Sequence, residues 1–152
     1  MITKVLAVAA VAILAVAQPG GCAPMSNPAD LSGVCSFDLQ PPVVVIHSSP
    51  AVQVEADAYC DHAPQTHRMT LAVTRTVDGR DHAMSDALGR LTHTCEDIPT
   101  PGKTVRCIWY LQPCLSGHYR VTVAVRGTGL RADGSTTTWD QSDVKSADLR
   151  CR

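Results

Sequence analysis

With 152 residues, 45% of them hydrophobic, the chain is long enough to bury the core of one domain. Its formal net charge of −1 supplies no field that would select nucleic acid or an anionic membrane. Glu55 and Glu96 are its two glutamates, so paired-carboxylate glycosidase chemistry has no patterned support.

The first element is an export signal. Met1 to Lys4 carry one positive side chain, and Val5 to Val16 is unbroken apolar sequence. That run is shorter than the ~20 residues a membrane-spanning helix needs, and it fits the core of a secretory signal. Ala15-Val16-Ala17 supplies a small-residue cleavage site, giving a signal peptide over 1–17 and a chain that starts at Gln18. The rival reading is a lipoprotein signal over 1–21, with Cys22 as the acylated first residue. Gly21 suits that reading and Pro19 does not. Cysteine parity favours it: of seven cysteines, lipidation of Cys22 leaves six, which make three bridges with no free thiol. Both readings stay open. Residues 18–32, rich in Pro, Gly, Ser and Asn, read as a flexible stalk. The domain then occupies 33–152.

Strands follow almost without interruption. Gly33 to Leu39 and Val43 to His47 are the first two. In Val52 to Cys60, "VQVEADAYC", Val52, Val54, Ala56, Ala58 and Cys60 share a face opposite Gln53, Glu55, Asp57 and Tyr59, the pattern of a half-buried strand. "RMTLAVTR" repeats it with Met69, Leu71 and Val73. Asp81 to Leu91, "DHAMSDALGRL", is the one segment with the makings of a short helix. Leu91 to Thr94 is extended. "TVRCIWYLQ" aligns Val105, Cys107, Trp109 and Leu111, and "GHYRVTVAVRG" aligns Tyr119, Val121, Val123 and Val125. Thr136 to Gln141 is the last strand. Asp78-Gly79, Pro101-Gly102 and Asp133-Gly134 supply turn residues that tolerate positive φ, and Gly127 and Gly129 read as turn glycines near a hairpin. The pattern predicts an all-β, immunoglobulin-like two-sheet sandwich of about 7–9 strands, stapled by disulfides.

The stretch "SGHYRVTVAV" resembles the strand entered through a tyrosine corner in immunoglobulin-like domains, although the cysteine that antibody domains place two residues after the tyrosine is Val121 here. More widely, the strand ending in Cys60, then "DHAPQTHRMTLAV", a proline-rich turn and "CLSGHYRVTVAVRG" resemble small exported immunoglobulin-like proteins and lipoproteins of actinobacteria and their phages. The resemblance spans Val52 to Gly134 and implies fold and location, with no assigned activity.

Six cysteines allow fifteen connectivities. Strand placement favours a nested set: Cys95–Cys107 across the Pro-Gly turn, Cys60–Cys114 stapling opposite sheets, and Cys35–Cys151 joining the chain ends. A local Cys107–Cys114 loop is the competitor.

Few residues carry a chemical signature. Cys60, His62 and His67 lie close together in "CDHAPQTH", but the spacing fits no standard zinc site and reads as a polar loop. His47, Ser48 and Ser49 are neighbours without a nucleophile motif, and His82 and His93 are scattered. No metal, cofactor or catalytic residue is therefore expected. His118, Arg120 and Arg126 share an outward strand face, to which Arg106 either adds or is lost through pairing with Glu55 or Asp57. Together these four define a shallow basic patch for an anionic envelope polymer or acidic protein. Trp109 and Trp139 read as core.

The sequence thus points to a non-enzymatic binding or structural module of the cell envelope, outside the cytoplasm. Its partner is an envelope polymer or protein, and it would touch a membrane only through a Cys22 lipid anchor. If phage-encoded, such a surface lipoprotein would interfere with later infection. The alternative is a secreted hydrolase with an unrecognised site. Intact mass of protein made in a bacterium, with and without reduction, separates the two amino termini: an acylated Cys22 with three bridges marks a tethered module, and a chain starting at Gln18 with an odd thiol marks release.

Overall fold

The structure, a computed structural model, describes residues 35–46, 48–131 and 133–151. The predicted signal peptide, the stalk, Cys22 and His47 lie outside them. The described residues form nine strands and no helix: β1 (Cys35–Leu39), β2 (Val43–Ile46), β3 (Pro50–Cys60), β4 (Thr66–Val77), β5 (Arg80–Ala83), β6 (Thr92–Cys95), β7 (Thr104–Leu111), β8 (Gly117–Leu130) and β9 (Thr136–Leu149). They build the two layers of an immunoglobulin-like sandwich. In one layer β3 is central, with β7 on one side and β1 and β2 end to end on the other. In the other, β4 carries β5 and β6 end to end on one edge and β8 on the other, with β9 outermost.

Period-two alternation decides which face is buried. Val52, Val54, Ala56, Ala58 and Cys60 of β3 face Met69, Leu71 and Val73 of β4 and Tyr119, Val121, Val123 and Val125 of β8, all fully buried or nearly so. The β7 row of Cys107, Trp109 and Leu111 completes the core.

The edges are broken where the sequence breaks them. Leu39 lies opposite Ala56 and Val43 opposite Gln53, so β1–β2 spends one residue more than β3 over the same span. The bulge falls at Gln40, Pro41 and Pro42, where two missing N–H groups are tolerable only on a sheet edge. Asp78 and Gly79, both with positive φ, close the two-residue β4–β5 hairpin. Between β5 and β6 the chain leaves the sheet: Ala83 lies opposite Thr74, and Thr92 opposite Ala72. The predicted short helix falls here and does not form. Asp86 Oδ1 instead accepts the N–H groups of Leu88 (2.9 Å) and Arg90 (3.0 Å), and Gly89 turns with φ 75°. An aspartate that captures the following amides competes with the helical ladder. The last strand runs eight residues beyond the predicted Gln141, because its Thr138-to-Asp148 stretch pairs β8 throughout.

The bridges are Cys35–Cys60, Cys95–Cys107 and Cys114–Cys151. Of the nested set, Cys95–Cys107 stands. Cys35–Cys151 and Cys60–Cys114 are corrected, because Cys35 and Cys60 are direct partners across β1 and β3. The reason given for Cys95–Cys107 also changes. Its cysteines sit on β6 and β7, in different layers, so the bridge ties sheet to sheet. Cys114–Cys151 pins the chain end to the β7–β8 connection, reinforced by Ser116, whose Oγ accepts the Cys151 N–H at 2.9 Å. Beside it stands the tyrosine corner: the buried Tyr119 hydroxyl donates to the Leu115 carbonyl at 2.6 Å.

Peptide mapping without reduction should recover these three pairs; a peptide joining Cys60 to Cys114 would contradict the layer assignment. Replacing both Cys95 and Cys107 by Ser should lower stability to urea by about 2–4 kcal/mol while leaving the far-ultraviolet β signature in place.

Candidate functional site

The four residues expected to form a basic patch are dispersed. Arg106 stands on β7 and is occupied: its Nε lies 2.9 Å from both Glu55 Oε1 and Asp57 Oδ1, across the β3–β7 register. His118, Arg120 and Arg126 share the outward face of β8 in the other layer. There the β9 register sets an acid against two of them, His118 Nδ1 with Asp148 (2.8 Å) and Arg126 Nε with Asp140 (3.0 Å). Pairing leaves this face nearly balanced in charge, which corrects the expected cationic patch.

The best-formed depression lies at the end of the sandwich where β4 and β9 begin and β8 ends. It encloses about 570 Å³ and is lined by Gln65 to Arg68, Glu96, Ile98, Arg126 to Thr128, Trp139 and Asp140. Gly127 and Trp139 are direct partners across β8 and β9. A Cβ on Gly127 would collide with the Trp139 ring and with the Thr66 carbonyl, so the indole seats where only a glycine leaves room. Gly127 is therefore a strand glycine with a packing role and not the turn residue predicted. Two ion pairs flank the groove, Arg68 with Glu96 and Arg126 with Asp140, and the hydroxyls of Thr66 and Thr128 bond each other at 2.8 Å.

Inside stand two groups whose polar atoms go unmatched. His67 is 4% exposed and neither ring nitrogen has a hydrogen bond of ordinary geometry; the Trp139 Nε1 donor, on a residue 8% exposed, also lacks an acceptor. Burial pushes the His67 imidazole below its ordinary pKa, opposed by the neighbouring Asp97 backbone. Buried polar groups are usually satisfied; all three atoms are closed off from solvent, and Arg75 Nε, outside the groove, is a fourth of the same kind among the described residues. His62 and Cys60 do not join His67: Cys60 is bridged and His62 is exposed.

A second cluster sits at the Cys95–Cys107 bridge. His93 Nδ1 or Nε2 and the two sulfurs lie within 4.8 Å of one another, the one such grouping with metal-ligand spacing among the described residues, and there the sulfurs are bonded to each other. His93 stacks on Trp109, with ring centroids 6.0 Å apart. The Trp109 indole donates to Asp86 Oδ2 at 3.2 Å, and Arg90 Nε donates to the same oxygen at 2.6 Å. Burial alone would raise the Asp86 pKa. The hydrogen bonds from Arg90, Trp109 and Leu88 outweigh it and hold the carboxyl well below the usual range. The His93 imidazole is held below its ordinary value, first by burial and then by the Arg90 charge, against the attraction of Asp86.

Sequence reading missed the groove. Its signal was present in a weak form: glycine at an inward β8 position opposite an inward tryptophan, beside a histidine on the apolar face of β4. No known family model matches the chain, and no curated protein is similar to it.

The sign of the pH dependence follows from these environments. His67 and His93 are held neutral, so the unfolded chain takes up protons first, and stability should fall as pH drops below about 6.5, the ordinary imidazole value. Asp86 contributes stability that is complete above 3.8, the ordinary carboxyl value, and is lost as pH falls below it. Thermal melts across pH should show both stages. Asp86→Asn should lower the melting temperature at neutral pH and diminish the second stage, to which Asp133, held low by its hydrogen bonds from Ser135, also contributes.

Proposed function

We propose that this protein is an exported, non-enzymatic recognition module of the cell envelope, released at Gln18 or tethered through Cys22. The three disulfides are compatible with an extracytoplasmic location, where thiols are oxidised. The observation that carries the reading is the groove at the start of β4 and β9, a concavity of about 570 Å³ flanked by two ion pairs and a threonine hydroxyl pair. Its position suits recognition. It opens at the end of a cross-braced sandwich, where loops and strand ends are presented to a partner while the layers stay fixed. The His118–Asp148 pair argues for the same reading. It resembles half of a hydrolytic triad, yet both side chains are about half exposed or more on an open sheet face, without the enclosure that acid–base catalysis uses.

The mature protein should co-sediment with isolated bacterial envelopes. Thr66→Trp, a bulky substitution at an exposed groove position, should weaken that association about tenfold or more with the fold intact. Arg106→Ala, on the opposite layer, should leave it unchanged. Equal binding by the wild type and Thr66→Trp would remove the groove from the function.

A further inference from the structure

We propose that the open edge of β7 binds an extended segment of another polypeptide as an added strand, at a site that shares no residue with the groove above. The register shows which groups are on offer. The Gln40 N–H donates to the Glu55 carbonyl at 3.0 Å, so Glu55 turns its backbone groups toward the β1–β2 side. Antiparallel alternation then turns Val54 and Ala56 toward β7, opposite Trp109 and Cys107. The alternate β7 residues Thr104, Arg106 and Ile108 aim N–H and C=O outward at the rim. Among the described residues, no hydrogen bond outside the strand ladders reaches the backbone of these three.

The other edges of the sandwich are obstructed, and this one is not. The β1–β2 edge is broken by the bulge at Gln40 to Pro42. β5 and β6 are four residues each, separated by the excursion. β9 turns the charged Asp143 and Lys145 inward. β7 runs for eight residues without a proline, and its inward side chains are Val105, Cys107, Trp109 and Leu111, none of them charged. Short strands, prolines and inward charges are the usual protections of a sheet edge, and an edge that lacks all three can accept another strand.

The chemistry of the partner follows from what lies beside the edge. Strand donors and acceptors repeat at every second residue, about 7 Å apart, and a second polypeptide returns them at the same spacing. A depression of about 380 Å³ adjoins the edge, walled by Ile108, Trp109 and Tyr110 and by Asp86, Leu88 and Arg90 of the excursion. Leu88 is 78% exposed, apolar surface that side chains of an added strand would cover. The Asp86 side chain is buried and that of Arg90 is half exposed; Arg90 Nε is committed to Asp86, which leaves its other N–H donors for a carboxylate of the partner. The segment that fits is apolar at alternate positions, with an acidic residue beside them. A second copy presenting its own β7 would carry its own excursion into the same space, so a free extended segment fits and a second folded copy does not.

The test titrates the ¹⁵N-labelled mature protein with capped heptapeptides that alternate an apolar residue (Val, Leu or Phe) with Thr and end in Glu. At least one should shift the amides of Leu88, Arg106 and Ile108, with a dissociation constant of about 1 mM or tighter, and slow hydrogen exchange at Ile108. The same peptide N-methylated at its interior residues should not bind, because it keeps the side chains and loses the donors. Ile108→Pro removes an N–H that β3 does not use and should abolish binding. Leu88→Asp, at an exposed position, should weaken it about tenfold or more and decides the matter should Ile108→Pro fail to fold. The proposal is overturned by an absence of shifts at this rim with every peptide, by equal binding of the N-methylated peptide, or by undiminished binding in the folded variants. Protection of the Ile108 amide that rises with protein concentration alone would make a second copy the occupant and overturn it as well.

Discussion

Among the described residues, one covalent bond joins a strand of one layer directly to a strand of the other. Cys95 on β6 and Cys107 on β7 bridge the sheets along one rim, and the packing around the bond is organised to hold it there. Trp109 follows Cys107 on the same buried face, His93 precedes Cys95 on the same strand face, and the two rings stack. Trp109 in turn donates to Asp86, which gathers the amides of Leu88 and Arg90 and so shapes the excursion between β5 and β6. That excursion lets two short strands occupy one edge of β4 and places Cys95 opposite Met69, within reach of β7. The bridge, the stacked rings and the aspartate turn are therefore one unit. A domain with a single phenylalanine and a core rich in valine and alanine gains from such a unit, since its side chains bury little area apiece.

The opposite rim is closed differently. There β1 and β2 approach β9 without a covalent tie between the layers. The inward positions of β9 run from Thr137 and Trp139, both buried, to Gln141, Asp143 and Lys145, half-buried. The four-strand width of the β9 layer exceeds that of its partner, so the outer part of β9 overhangs the core. Charged side chains that face inward on an edge strand obstruct docking of a further strand. Asp143 completes the arrangement locally: its Oδ1 accepts the Val144 N–H at 2.8 Å and its Oδ2 lies 3.6 Å from Lys145.

What was legible in the sequence followed from periodicity. β3, β4, β7 and β8 alternate strictly, and every residue assigned to their inner faces is buried except Val105, which is half-buried against the core, because apolar burial drives the faces together with little dependence on detail. The Asp78-Gly79 turn and the tyrosine corner were legible because each needs a particular residue at a particular place. β9 was cut short at Gln141, since the next two inward residues, Asp143 and Lys145, are charged and interrupt the apolar alternation before Ala147 and Leu149 resume it. The helix expected over Asp81 to Leu91 was a matter of competing hydrogen bonds: Asp86 offers the following amides a nearer acceptor than the helix would. Disulfide pairing was two-thirds misassigned because it depends on register. Cys35 and Cys60 meet only once the bulge at Gln40 to Pro42 has set β1 against β3.

The groove illustrates the same limit at the level of function. Charge counted along β8 suggested an anion-binding face, but a sheet sets every strand residue against a neighbour, and β9 brings Asp140 and Asp148 to the cations of β8. Cross-strand pairing thus consumes the feature most visible in the sequence. What it leaves is less conspicuous: a glycine at the one inward β8 position where an indole from β9 must pass, and a histidine buried at the end of the apolar row of β4. Either residue alone is ordinary. The register that places Gly127 against both His67 and Trp139 gathers them beside a concavity, flanked by the Arg126–Asp140 pair that helps to cancel the cationic patch and by the Arg68–Glu96 pair.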